Sequence, residues 1–202
     1  MKTGYLIPAD EAQVELQIKN SRFVSRAAYT PTVESARAFI QRVKQEAGGF
    51  SHAVYAFAVG HGATVTHGMS DAGEPSGTAG RPALAVVKGS GLGDVTVVIV
   101  RYFGGTKLGT GGLVKAYTES AQLVLADLPT EMKVERKQVE VVIPYSFYEQ
   151  FKRLVSAHHG QIDDEQFAAD VTIQVTFIVA DVPDFSDELS EATAGQVVVL
   201  DL

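Results

Sequence analysis

The 202-residue chain contains no cysteine and no tryptophan. Without a thiol there is no disulfide framework, no thiolate metal centre and no cysteine nucleophile. No stretch approaches the roughly 20 apolar residues that a membrane-spanning helix needs. The opening MKTGYLIPADEAQ also lacks the apolar core of a secretion signal. A soluble, cytoplasmic protein with no membrane partner is therefore expected.

Several catalytic signatures are equally missing. No Gly-Lys pair occurs, which excludes a Walker loop with its lysine on the phosphates. There is no Gly-x-Ser-x-Gly elbow, and no spacing suggests a Ser-His-Asp triad. The glycines between 104 and 112 approach a dinucleotide fingerprint only loosely, and the acidic residue it needs on a following strand is not evident.

What is present is 46% hydrophobic content, ample for one large or two small domains. The net charge of −7 is unevenly spread. Residues 1–133 carry 13 Lys+Arg against 11 Asp+Glu, whereas residues 134–202 carry 4 against 13. The acidic part repels nucleic acid, so any phosphate contact is expected in the first part.

Alternating apolar residues predict strands at Gln13–Ile18 and Arg22–Tyr29, paired as a hairpin. A helix opens at Thr30-Pro31 and runs to about Ala47, with Ala36, Phe39, Ile40 and Val43 facing inward. Strands follow at Ala53–Val59 and Ala63–Met69, then a loop, DAGEPSGTAGRP, from Asp71 to Pro82. A short helix at Ala83–Lys88, a strand at Val95–Tyr102 and a helix at Leu113–Leu128 complete the first part. Val95–Val100 is apolar almost throughout, as a strand covered on both faces is. Pro129 and the charged stretch to Lys137 mark a domain boundary.

The later part predicts a strand at Gln138–Pro144 and a helix over Phe147–Ala157 capped by Ser146. Strands at Gly160–Phe167 and Val171–Val179, a helix at Asp184–Ala194 and a strand at Gln196–Leu200 follow. The order βαββαβ is the ferredoxin-like split arrangement. The pair His158-His159 falls where cations favour a helix C-terminus, a reading preferred to a metal site.

Two loops carry the candidate chemistry. RYFGGTKLGTGG, Arg101 to Gly112, precedes the predicted helix at Leu113, and from Arg101 to Lys115 there is no acid. Helix-start amides at Gly109, Gly111 and Gly112, with Gly104, Gly105, Arg101, Lys107 and Lys115, form a candidate phosphate or nucleic-acid site. The competing reading gives the glycines a backbone role, positive φ and close helix–sheet packing. In the other loop, Asp71 and Glu74 need a cation nearby: Arg81, Arg101, Lys107 or a divalent metal. Pairing with the arginines is preferred, because two carboxylates three residues apart are a weak metal signal. Arg81 is counted with the phosphate ligands. The catalytic candidates are His52, Asp71 and Glu74, although a histidine at a strand start is ordinarily a hydrogen-bonded structural residue. No cofactor and no metal centre is expected.

Together, DAGEPSGTAGRP, the strand ending RYFGG, and KLGTGGLVKAY closely resemble the signature of the IMPACT/YigZ family. Ser-His-Ala-Val-Tyr-Ala at Ser51–Ala56 fits the same pattern upstream. The resemblance covers about Gly4 to Leu128, and the acidic βαββαβ part fits the second domain of bacterial members. It implies an α+β chain with an IMPACT-type N-terminal domain over 1–131 and a ferredoxin-like C-terminal domain over 136–202. The first is similar to a two-layer α/β fold, seen in the second domain of a small-subunit ribosomal protein and in a decoding-region domain of elongation factor G. Ala72 stands where the family pattern has an acid beside Asp71, which weakens a metal reading further.

Eukaryotic relatives modulate translation under amino-acid starvation by competing for the activator of an initiation-factor kinase, a pathway bacteria lack. The resemblance thus implies a non-enzymatic, translation-linked regulatory protein. Its partners would be RNA, the ribosome or a translation-associated protein, with Tyr102 or Phe103 stacking a base if exposed. One alternative is an enzyme acting on a small phosphorylated or nucleotide ligand, with His52, Asp71, Glu74 and Arg101 converging between the loops. Another is a protein-docking module. No motif fixes an oligomeric state.

Overall fold

The computed structural model describes residues 4–201. They divide into a unit of Tyr5–Lys133 and a second unit formed mainly by the residues from Val134 on. The first contains, in order, β1 (Gly4–Pro8), β2 (Ala12–Ile18), β3 (Ser21–Tyr29), α1 (Val33–Ala47), β4 (His52–Val59), β5 (Thr66–Ser70), α2 (Gly80–Gly89), β6 (Val95–Tyr102), α3 (Gly109–Asp127) and β7 (Thr130–Val134).

Five of these strands form one antiparallel sheet in the order β2-β3-β6-β4-β5. The predicted hairpin is β2 and β3, in register from Ala12 opposite Ala27 to Ile18 opposite Ser21. Strand β6 lies at the centre, and Val95 to Val100 are buried on both sides. Val97 and Ile99 pack with α2 and α3, whereas Val98 and Val100 pack with Phe39, Ile40 and Val43 of α1. Helices therefore cover both faces. The two-layer arrangement expected from the resemblance gains a third layer, α1, on the opposite face. Burial of each large apolar side chain there contributes about 1.5–3 kcal/mol.

The helix starts differ from the apolar periodicity. Helix α1 begins at Val33, because Thr32 and Ser35 form a reciprocal cap: each side-chain oxygen accepts the other's backbone N–H, at 3.1 and 3.0 Å. Helix α2 starts at Gly80 rather than Ala83, and α3 at Gly109 rather than Leu113. Glycine lowers helix propensity, so these first turns are invisible to a pattern built on apolar spacing.

Strands β1 and β7 pair with each other, and neither is evident from sequence. Asp94, nearly fully buried, supplies an anchor beside them. It accepts from Tyr5 Oη at 2.8 Å, Lys133 Nζ at 2.7 Å and the Gly60 amide at 2.7 Å. Burial pushes its carboxyl up, but the bonds from Lys133, Gly60 and Tyr5 outweigh burial and hold it below the usual range.

The second unit contains β8 (Arg136–Ile143), α4 (Tyr148–Ala157), β9 (Gln161–Phe167), β10 (Val171–Ile178), α5 (Val182–Ala192) and β11 (Val199–Asp201). Its sheet is antiparallel in the order β11-β8-β10-β9, the ferredoxin-like arrangement. Val139, Val141, Ile173 and Phe177 face the helices and pack with Phe151 and Phe185. The alternate residues Gln138, Glu140, Gln174 and Thr176 face away. Ser146 lies inside a single 3₁₀ turn, Tyr145–Phe147, and does not cap α4. His158 Nε2 meets Glu188 Oε2 at 2.7 Å. No helix among the described residues is long and apolar enough to cross a membrane.

Candidate functional site

Strand β6 delivers Arg101 to the end of the sheet, opposite His52 of β4 in register. The Asp71–Pro82 loop lies over this end, and the loop from Phe103 to Leu108 leads away into α3. Between them is a cleft of about 430 Å³, lined by His52, Glu74, Arg101, Phe103, Lys107 and the start of α3 at Gly109-Thr110.

The floor of the cleft is charged and buried. Arg101 Nη1 donates to Glu74 Oε1 at 2.7 Å, and the two side chains are 5% and 4% exposed. Arg101 Nη2 donates to Ser21 Oγ at 3.2 Å, while Nε is buried without a partner. Tyr117, from α3, donates its hydroxyl to the same Glu74 Oε1 at 2.8 Å. Burial, reinforced by Glu74, pushes this phenol far above its ordinary range, so it acts only as a donor near neutrality. His52 Nδ1 lies 3.0 Å from the Ala72 carbonyl oxygen, and Nε2 lies 3.9 Å from Glu74 Oε2. Ala72 adopts a positive φ of 48° in the turn that presents this carbonyl.

The three helix starts of the unit are not equivalent. Thr32 caps α1. Asp71 occupies the start of α2: Oδ1 accepts from the amides of Ala79 at 3.0 Å and Gly80 at 2.8 Å, and Oδ2 from Gly77 at 2.9 Å. Burial raises the Asp71 carboxyl, but the amides of Gly77, Gly80 and Ala79 outweigh it and hold it below the usual carboxylate range. At α3, Leu108 has no side-chain oxygen to offer, and no side-chain cap is made. The open α3 start faces the cleft beside Lys107, which is exposed and forms no ion pair among the described residues. Free N–H groups and the positive end of the helix dipole favour an anion there.

Of the residues singled out from sequence, His52, Glu74, Arg101, Lys107 and Gly109 come together in this cleft. Glu74 holds Arg101, the arginine pairing preferred from sequence, so Arg101 is not the free phosphate ligand also expected of it. Asp71 is a helix cap within the loop, outside the cleft lining. Arg81 lines a separate groove between α2 and α3, and Lys115 is exposed on α3 away from the cleft lining. Gly111 and Gly112 belong to the first turn of α3 rather than to a loop before it, and Gly105 takes φ +85° in the loop itself. Gly104 serves packing: a Cβ there would collide with the Asn20 backbone. Asn20 also reaches Thr106 Oγ1 at 3.3 Å, tying the loop to the β2–β3 turn. Tyr102 is turned away, its hydroxyl donating to the Ala47 carbonyl at 2.9 Å, whereas Phe103 is 46% exposed. Tyr117 and Ser21 were not singled out. Tyr117 sits four residues after Leu113 on the apolar face of the helix, so spacing marks it only as core.

Comparison with known proteins places this geometry among relatives. Residues 19–125 match the Impact N-terminal domain, and residues 141–196 match a domain of unknown function, DUF1949. The chain is 38% identical over 198 residues to the IMPACT family member YigZ of Escherichia coli, covering 98% of this chain and 97% of that one. It is 36% identical over 196 residues to an IMPACT family member of Haemophilus influenzae, covering 96% and 95%. A solved structure titled as that of a hypothetical protein superposes with a TM-score of 0.71 at 37% identity, covering 100% and 98%.

Proposed function

The chain belongs to the IMPACT family, and from that premise we propose a translation-linked regulatory protein that binds rather than turns over its ligand. Its first unit holds a phosphate group of RNA, free or on the ribosome, at the start of α3. The observation that carries this reading is the contrast among helix starts. Those of α1 and α2 are satisfied by Thr32 and Asp71, whereas that of α3 opens without a side-chain cap into a cleft beside Lys107. Arg101 contributes little free charge, so the electrostatic part of binding rests on Lys107 and the helix end.

Binding of a short single-stranded RNA to the full chain, measured across a salt series, tests the reading. Affinity is expected to fall as salt rises, and Lys107→Ala to reduce the log–log slope by about 1. Salt-insensitive binding that ignores the substitution refutes it.

A second reading, an enzyme acting on a small phosphorylated or nucleotide ligand, is favoured by one observation. His52 and Glu74 line the same cleft as the anion end. Chemical turnover of a bound ligand, followed by chromatography, separates this reading from the first.

A further inference from the structure

Phosphate alone does not use the other wall of the cleft, where His52 and Glu74 meet. The Ala72 carbonyl can only accept, so in the neutral ring the proton sits on Nδ1. Nε2 is then an acceptor, and it faces Glu74 Oε2 at 3.9 Å, beyond hydrogen-bond reach. Oε1 of Glu74 is already taken by Arg101 and Tyr117, while Oε2 accepts no hydrogen bond from any described residue. Two acceptors therefore stand side by side, one on a carboxylate that is 4% exposed. Acceptors in a confined site favour a ligand that brings donors to both. Two neighbouring hydroxyls on one edge of a sugar meet that demand, one donating to Nε2 and the other to Oε2.

The remaining walls suit the same ligand. The exposed Phe103 ring is backed by the Arg101 guanidinium, 5.4 Å from its centroid, and offers a face for a base. Pro75, Leu108 and Leu113 make the rest of the lining apolar. A volume of about 430 Å³ is within the range of small-ligand sites. Resting on the phosphate-binding reading above, we propose that the cleft recognises a nucleoside 5′-phosphate with a free ribose cis-diol. The 2′-hydroxyl donates to His52 Nε2 and the 3′-hydroxyl to Glu74 Oε2, the base stacks on Phe103, and the phosphate takes Lys107 and the α3 start. A free ribonucleotide and the 3′ end of an RNA share this chemistry. A deoxynucleotide and an internal RNA residue each lack one of the two hydroxyls.

Equilibrium binding to the full chain tests the assignment with four probes: AMP, 2′-deoxyadenosine 5′-monophosphate, and a short RNA ending in a 3′-hydroxyl or in a 3′-phosphate. AMP is expected to bind at least about tenfold more tightly than its deoxy analogue, and His52→Ala to remove the difference. An RNA with a 3′-hydroxyl that equals or exceeds AMP, and loses affinity on 3′-phosphorylation, assigns the source to RNA ends. An RNA weaker than AMP assigns it to free nucleotide. Nitrogen NMR of His52 needs no variant: Nε2 should shift with AMP and not with the deoxy analogue. Equal affinity for AMP and the deoxy analogue overturns the diol assignment while leaving phosphate binding intact. Binding of none of the probes overturns both.

Discussion

In the unit of Tyr5–Lys133 the sheet carries helices on both faces, and charge is buried where strand ends and loops meet. In the unit from Val134 on, helices cover one face, and the buried core is aliphatic and aromatic. The face of the second sheet turned away from α4 and α5 presents Gln138, Glu140 and Gln174. Asp163 joins them, accepting from Gln138 at 3.0 Å and Thr176 at 2.7 Å. An open face of this fold suits single-stranded RNA when it offers aromatics and bases. Carboxylates in that place repel phosphate. The charge asymmetry of the chain thus has a structural counterpart, with an uncapped helix start beside Lys107 in one unit and a carboxylate-bearing sheet face in the other.

The contrast in buried charge breaks most severely at Arg101. Arg101→Ala leaves Glu74 in the floor of the cleft without its cation, an expected loss of about 3–5 kcal/mol in urea unfolding. Removing both partners with Arg101→Met and Glu74→Leu should recover much of that loss. A single variant as stable as the parent would mean that the pair is not buried in solution.

Asp94 gives the next largest effect, and a dependence on pH. Its folded pKa lies below the unfolded value, so its stabilisation is fully present above about pH 4. It is lost as pH falls through the folded pKa, when the proton displaces Lys133, Gly60 and Tyr5. Asp94→Asn should cost about 2 kcal/mol at pH 7 and flatten the acid side of the stability profile. Unfolding midpoints between pH 2 and 7 check both. A smaller effect is expected at Tyr117→Phe, about 1.5 kcal/mol, because Arg101 continues to satisfy Glu74.

These residues also show what the sequence could disclose. The hairpin, the inward face of α1, the doubly covered β6 and the ferredoxin-like order were legible because each rests on local periodicity. Strands β1 and β7 were not, since GYLIP has no alternation, TEMKV alternates over only five residues inside a charged stretch, and the two pair only with each other. At the cleft, residue types and a preference for acid–arginine pairing were legible, and the particular partners were not. Pairing of the loop acids with the arginines was legible; that Glu74, 27 positions away, takes Arg101 and leaves it buried rather than free for phosphate was not. Asp71 reads as a possible ligand until three amides of its own loop close on it. Loop-mediated pairing of this kind leaves no periodic trace.

The smallest expected effect sharpens the comparison from the other side. Asp164 is exposed on β9, an edge strand, opposite Gln174 of β10. It follows Asp163 directly, so Asp164→Lys relieves like-charge repulsion and places a lysine where edge strands tolerate one. Unfolding free energy should stay within about 0.5 kcal/mol of the parent. If the acidic face is a solvated surface, the substitution also leaves the salt slope of RNA binding where it was. A slope that steepens by about 1 would instead move phosphate contact onto the second unit's sheet.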